Sequence, residues 1–151
     1  MPQRDESQSM FEMARMIAHG ELPQPPVAEL IGFRLVSIEP GRAVMEMEAN
    51  ERHANPMGTL HGGIVCDIAD AAMGLAYAST LEAGESFATL ELKINFLRPF
   101  WTGDLTAVGQ VLHAGRSVGV MECDVEDGAG RLVARATSTC MILRGERARG
   151  R

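Results

Sequence analysis

Residues 64–80, with the sequence IVCDIADAAMGLAYAST, decide the fold because they predict one long helix. The stretch lacks proline and consists largely of Ala, Met, Ile and Leu. Small residues leave the predicted helix thin on several sides: Ala69, Ala71, Ala72, Gly74, Ala76 and Ala78. Because a thin helix lets a curved sheet approach closely, we expect this helix to form the core of the protein.

Alternating apolar and polar residues predict strands on both sides of the helix. Phe33–Ala49 predicts two strands joined by a turn at Pro40-Gly41. Four more strands are predicted after Gly84, over residues 89–97, 105–112, 117–125 and 132–143. Sequential strands with short connections pair antiparallel. The sequence therefore predicts an α+β domain in which an antiparallel β-sheet is wrapped around one long central helix, the hotdog fold.

The two ends of the chain differ from this pattern. Residues 1–25 contain a helical stretch over 5–19 and then the segment LPQPP, so we interpret them as an N-terminal helical extension. The hotdog domain is predicted over residues 26–145. Residues 146–151 are predicted to be a basic, solvated C-terminal tail.

Composition argues against several classes of protein. A chain of 151 residues is long enough for one well-buried domain, and its net charge of −6 argues against a nucleic-acid groove. No stretch approaches the roughly 20 apolar residues that span a bilayer, and the N-terminus is not typical of a signal peptide. Cys66, Cys123 and Cys140 are widely spaced, which indicates reduced thiols rather than a disulfide framework or a zinc site. We expect a cytoplasmic protein with no metal, membrane or nucleic-acid partner.

Two motifs resemble those of a known enzyme family. Residues 55–63, NPMGTLHGG, are followed by Asp70, seven residues after the second glycine, and residues 89–99 have the sequence TLELKINFLRP. Together they resemble the signature of the PaaI-type acyl-CoA thioesterases, over about residues 27–143. The resemblance implies a homodimeric or homotetrameric hotdog enzyme that cleaves acyl-CoA without a metal or a cofactor.

The resemblance also implies roles for individual residues. Asp70 stands at the position of the catalytic base or nucleophile, and Gly62 at the position of an oxyanion N–H donor. Asn55 and His61 stand where the family has supporting residues, and Thr89 where a hydroxyl helps to place water. The turn from His113 to Ser117, with Gly115 and Arg116 inside it, resembles a segment that contacts CoA.

The residues themselves give physical reasons for these roles. Gly62 and Gly63 open the helix, where N–H groups lack intrahelical partners and the helix dipole is positive. Donors aimed at a developing oxyanion typically contribute on the order of 3 kcal/mol each; the alternative is a merely flexible helix start. Asp70 lies mid-helix among apolar neighbours, where aspartate is unfavourable. The alternatives are that Asp70 simply faces solvent, or that Asp67, one turn earlier, is the base.

Helix geometry predicts that the site is shared between subunits. Gly62 and Asp70 are eight residues apart, which corresponds to about 12 Å along the helix axis. Reacting groups must lie within ~3–3.5 Å, so one thioester carbonyl cannot contact both in a single chain. Two antiparallel copies of the helix across a two-fold axis would bring Gly62 of one chain beside Asp70 of the other.

The phosphates of CoA require cations, and Arg98 and Arg116 are the candidates, with Phe96 at the entrance. The sequence does not distinguish between an aryl and a medium-chain acyl group on the substrate. A non-catalytic acyl-CoA-binding protein is one alternative function. A hotdog hydratase or dehydratase is another, but the hydratase pattern Asp-x-Asn-Pro-x-His fails at His53 and Gly58.

Overall fold

The computed structural model describes residues 9–148. The helices are α1 (Met10–Ala18), α2 (Pro26–Ile31) and α3 (Gly62–Ala78), with 3₁₀ turns at Glu51–His53 and Gly145–Ala148. The strands are β1 (Phe33–Glu39), β2 (Arg42–Ala49), β3 (Ser86–Phe96), β4 (Gly103–Ala114), β5 (Val118–Asp127) and β6 (Leu132–Leu143). The predicted order of two strands, one long helix and four strands is confirmed.

The six strands form one antiparallel sheet in the order β1-β2-β4-β5-β6-β3. Helix α3 packs against this sheet and buries Ile68, Ala72 and Met73 completely. This is an α+β hotdog fold, as the sequence predicts. β1 and β3 are the two edges of the sheet, because within residues 9–148 each pairs with one neighbour.

Glycines in the sheet permit the close approach of the helix. A Cβ built on Gly109 of β4 would overlap the backbone carbonyl of Ala72, and one on Gly119 of β5 would overlap the Tyr77 ring. Small residues therefore occur on both sides of the contact between helix and sheet, which brings the backbone of α3 close to β4.

Helix α3 begins at Gly62, so the two glycines open it as the sequence predicts, and His61 caps it. The Nδ1 atom of His61 accepts a hydrogen bond from the Gly63 N–H at 2.9 Å. This side-chain cap satisfies one of the orphan donors of the first turn and fixes the helix start within the HGG motif.

The segments at both ends pack on the sheet or the helix. Helix α1 is capped by Ser9 and Glu12, and its buried residue Ala14 belongs to the core. The Gln24 side chain accepts a hydrogen bond from the Leu35 N–H of β1. At the other end, Ala148 is buried in the 3₁₀ turn. Residues 1–8 and 149–151, parts of the predicted extension and tail, lie outside the described residues; within the described range no helix has the length and apolar character to cross a bilayer.

Candidate active site

Asp70 faces strand β3 from the middle of α3. The Thr89 hydroxyl donates a hydrogen bond to its Oδ1 atom at 3.4 Å. Although solvent still reaches Asp70, partial burial of the carboxylate raises its pKa, the Thr89 hydrogen bond lowers it, and the negative charge of Asp67 raises it. A carboxylate with a raised pKa is a stronger base than a fully solvated one, which suits proton abstraction.

Asp67, the alternative carboxylate, lies in a different electrostatic environment. Burial raises its pKa and the nearby His61 lowers it. Asp67 therefore interacts electrostatically with His61 at the helix start, whereas Asp70 is the carboxylate that a β3 hydroxyl contacts. The hydrogen bond from Thr89 therefore distinguishes Asp70 from Asp67, the two carboxylates that the sequence left as alternatives.

The helix start offers one free donor rather than two. The Gly63 N–H already donates to the Nδ1 of its own cap, His61, which corrects the expectation that both glycines present free N–H groups. The Gly62 N–H makes no hydrogen bond to any residue from 9 to 148. The candidate oxyanion donor is therefore the N–H of Gly62, at the positive end of α3.

Asn55 holds the loop before the helix. Its Nδ2 donates to the Thr59 hydroxyl at 2.8 Å, and its Oδ1 accepts from the Met57 N–H at 2.9 Å. The backbones of Ala54 and Leu60 form an isolated bridge across the base of this loop. Both polar atoms of the Asn55 side chain therefore bind the loop, which supports a positioning role for this residue.

A cleft of about 420 Å³ opens beside the helix start. The Phe96 ring lies against Gly62, so that a Cβ at Gly62 would come within 2.9 Å of it, and the ring is 55% exposed. Arg98 also lines this cleft. Two predicted substrate-binding residues are therefore adjacent to the candidate oxyanion donor.

A second cleft, of about 560 Å³, lies at the opposite end of the molecule. Gly115 and Arg116 line it. The predicted 113–117 turn is shorter than expected, because His113 and Ala114 still pair with β5 as the end of β4 and only residues 115–117 connect the two strands. Arg144 lines it too, and donates to the Glu85 carboxylate and to the Arg116 carbonyl, both at 2.7 Å.

Arg144 is not among the sequence candidates, because its position just after the last strand is typical of a solvated tail. The signal that could have identified Arg144 is the pairing of the end of strand β6 with the start of strand β3. The partner of β6 there is the start of β3, directly after Glu85.

One chain does not bring the predicted site residues together. Strand β3 pairs Phe96 with Ala134 and Ser86 with Leu143, so its ends are about 33 Å apart. The Gly62 cleft lies at the Phe96 end, the 113–117 turn lies at the Ser86 end, and Asp70 with Thr89 lies between them. Three parts of the predicted site are therefore spread along a single chain.

Comparisons with known proteins, together with the hotdog fold, identify the chain as a thioester hydrolase of the hotdog class. The family model described as "Thioesterase superfamily" matches residues 57–134, which contain the HGG motif, Asp70 and Thr89. The chain belongs to this superfamily.

Several known proteins are similar over most of their length. Acyl-coenzyme A thioesterase PaaI of Escherichia coli is 32% identical over 126 residues, covering 83% of this chain and 88% of that one. A 1,4-dihydroxy-2-naphthoyl-CoA hydrolase of Listeria monocytogenes is 32% identical over 114 residues, covering 76% of this chain and 93% of that one. The structure of the E. coli PaaI protein from the phenylacetic acid degradation operon superposes with a TM-score of 0.79 at 28% identity, covering 91% of this chain and 98% of that one. The PaaI-type resemblance is confirmed.

Proposed function

We propose that this enzyme hydrolyses aryl- or medium-chain acyl-CoA at sites formed between two copies of the chain. Asp70 of one copy acts as base or nucleophile, and the Gly62 N–H of the other copy binds the carbonyl oxygen. The observation that carries the proposal is that both groups lie on one helix, eight residues apart, with Thr89 in contact with Asp70. Their separation of about 12 Å along the axis requires a second copy.

The outer edge of β3 supports such a pairing. Leu90, Phe96 and Leu97 are each more than half exposed along this strand or directly after it. Unpaired edge strands with exposed apolar residues favour strand addition, and a two-fold axis makes the contact self-complementary. Antiparallel pairing of β3 with its copy would bring the Phe96 end of one chain beside the Ser86 end of the other. The two α3 helices would then run antiparallel.

The same pairing would complete the substrate site. The Gly62 cleft of one copy, with Phe96 and Arg98, would lie near the 113–117 turn of the other copy. Arg116 and Arg98 would then flank one cleft from two chains, which suits the phosphates of CoA. The Listeria relative is named for an aryl-CoA substrate, and the E. coli relative belongs to a phenylacetic acid degradation operon, which favours an aryl acyl group.

The chemistry follows from the charges that develop during hydrolysis. Attack on the thioester carbon moves negative charge to the carbonyl oxygen, where the Gly62 N–H and the positive helix end stabilise it. Asp70 either takes a proton from the attacking water or attacks the carbon itself, and both routes need the ionised carboxylate. Collapse of the tetrahedral intermediate then expels the CoA thiolate. On the nucleophilic route this leaves the acyl group on Asp70 as an anhydride, which water hydrolyses to release the carboxylic acid and restore Asp70. Thr89 is placed to hold the water beside Asp70.

A panel of acyl-CoA thioesters tests the proposal with the wild-type enzyme. We expect release of free CoA thiol from at least one of phenylacetyl-, hydroxybenzoyl- and octanoyl-CoA. The same acyl groups on N-acetylcysteamine keep the thioester but lack the phosphates, so they should show a lower kcat/KM. Thiol release at the uncatalysed rate for the whole panel would contradict the proposal.

A further inference from the structure

A buried thiol lies behind the Thr89–Asp70 pair. Cys140 of β6 is directly opposite Thr89 of β3 in the sheet, and its side chain has no exposed surface. The Cys140 Sγ atom donates to the Thr89 Oγ1 at 3.7 Å, and Thr89 Oγ1 donates to Asp70 Oδ1 at 3.4 Å. The Ser138 hydroxyl lies 4.0 Å from the same Sγ atom, and either of these two atoms could be the donor. With Ser138 as the donor, hydrogen bonds run in one direction, from the sheet interior to the candidate catalytic carboxylate.

The direction matters because a hydroxyl has one proton and two acceptor lone pairs. When the Cys140 thiol donates to Thr89 Oγ1, the thiol proton occupies one lone pair of that oxygen. The proton of the Thr89 hydroxyl then points in another direction, toward Asp70 as its acceptor. The register of β3 against β6 shifts between Thr89 and Glu91, and such an irregularity changes the direction of nearby side chains.

Among residues 9–148, the charged groups that act on this chain of donors are acidic. Asp67, on the same helix, raises the pKa of Asp70, and Glu91 of β3 acts in the same sense on the pKa of Cys140. The hydrogen bond from Thr89 is the interaction that lowers the pKa of Asp70. The orientation of one hydroxyl is therefore what opposes burial and like charge at this carboxylate.

We infer that Cys140 is a positioning residue for the hydrolysis, because its thiol orients the Thr89 hydroxyl onto Asp70. The inference rests on the proposed function in assigning Asp70 as the catalytic carboxylate. Cys140 touches neither substrate nor water and acts only through Thr89. Its contribution is to keep Asp70 ionised at lower pH than the surrounding carboxylates would allow.

The test is the pH dependence of kcat/KM in a set of variants. Cys140→Ala frees the Thr89 hydroxyl to rotate, so the pKa of Asp70 should rise. The acidic limb, which is the low-pH side of the plot of kcat/KM against pH, should then move to higher pH. On that limb we expect kcat/KM to fall by roughly three- to ten-fold, with a much smaller change on the plateau. Thr89→Val should move the limb in the same direction and further, and adding Cys140→Ala to it should move it no more. Cys140→Ser keeps an O–H donor and should return the limb toward the wild-type position.

Cys123→Ala is the matched control. Cys123 is equally buried, on β5, but its thiol contacts the Asp124 carbonyl rather than Thr89. Both alanine variants should lose stability, and only the Cys140 variant should shift the limb. If Cys140→Ala folds poorly, Cys140→Val fills the space without a donor and should shift the limb as well.

If the acidic limb of kcat/KM lies at the same pH in Cys140→Ala and in Cys123→Ala, the inference is overturned. Carboxyl NMR of Asp70 gives the same comparison without turnover, so it separates two kinds of failure. If Asp70→Asn kept full activity, the proposed function would be wrong, while the NMR titration would still report whether Cys140 sets the pKa of Asp70.

Discussion

Replacing Asp70 with asparagine is expected to lower kcat by at least about 10²-fold while the protein stays folded. Asparagine has the same shape and can still accept the Thr89 hydrogen bond, but it cannot ionise, so it can neither take a proton from water nor attack the thioester. The measurement is thiol release from the best substrate of the acyl-CoA panel.

Stability provides an independent check on this variant. Because burial and Asp67 raise the pKa of Asp70, the ionised carboxylate destabilises the folded state at neutral pH. The neutral amide removes this effect. The free energy of unfolding of Asp70→Asn should therefore equal or exceed that of the wild type, and a loss of activity could not be explained by unfolding.

Asp67→Asn is the matched control, because it makes the same change of charge on the same helix. Asp67 lies near His61 and accepts no hydrogen bond from Thr89. We expect this variant to keep kcat within a few-fold of the wild type. Full activity in Asp70→Asn together with its loss in Asp67→Asn would move the catalytic role to Asp67.

Replacing Gly62 with proline should lower kcat by about 10²- to 10³-fold, because it removes the proposed oxyanion donor. Gly62 is the first residue of α3, a position where proline is favoured and where no intrahelical hydrogen bond is lost. His61 before it has φ −65° and ψ 130°, a conformation that a following proline accepts. Helix content and thermal unfolding should therefore stay close to those of the wild type.

Gly62→Ala separates the loss of the N–H from the steric effect of a side chain. Alanine places the same Cβ against the Phe96 ring, which is half exposed and free to shift, but it keeps the N–H. We expect kcat of the alanine variant to stay within about ten-fold of the wild type. Equal losses in the proline and alanine variants would mean that the space at Gly62, rather than its N–H, is what matters.

Local pattern is sufficient to predict the fold. The Ala-rich composition of residues 64–80 and the alternation of the strands are properties of neighbouring residues, and they predict both the central helix and the order of the elements along the chain. The residue pattern of 64–80 does not reveal how the helix is capped, because the cap depends on the His61 ring, whose Nδ1 accepts a hydrogen bond from the Gly63 N–H. Composition alone does not fix the orientation of a side chain.

The site is predicted less completely because its contacts join distant segments. The Thr89–Asp70 contact follows only from the family resemblance, since 19 residues separate the two. The Cys140–Thr89 contact spans 51 residues and depends on strand register, including the shift after Thr89. The pairing of Arg144 with Glu85 is likewise a consequence of how β6 meets β3, so the sequence around Arg144 does not reveal it.

A mixed dimer tests whether Gly62 and Asp70 act across the subunit boundary. Chains carrying Asp70→Asn and chains carrying Gly62→Pro are co-expressed with different tags, and the heterodimer is isolated by two successive affinity steps. If the sites are shared, one of the two sites carries both substitutions and the other carries neither. The heterodimer should then regain about half of the wild-type activity, although each homodimer is nearly inactive. A heterodimer as inactive as its parents would show that both groups act within a single chain, and would contradict the shared site.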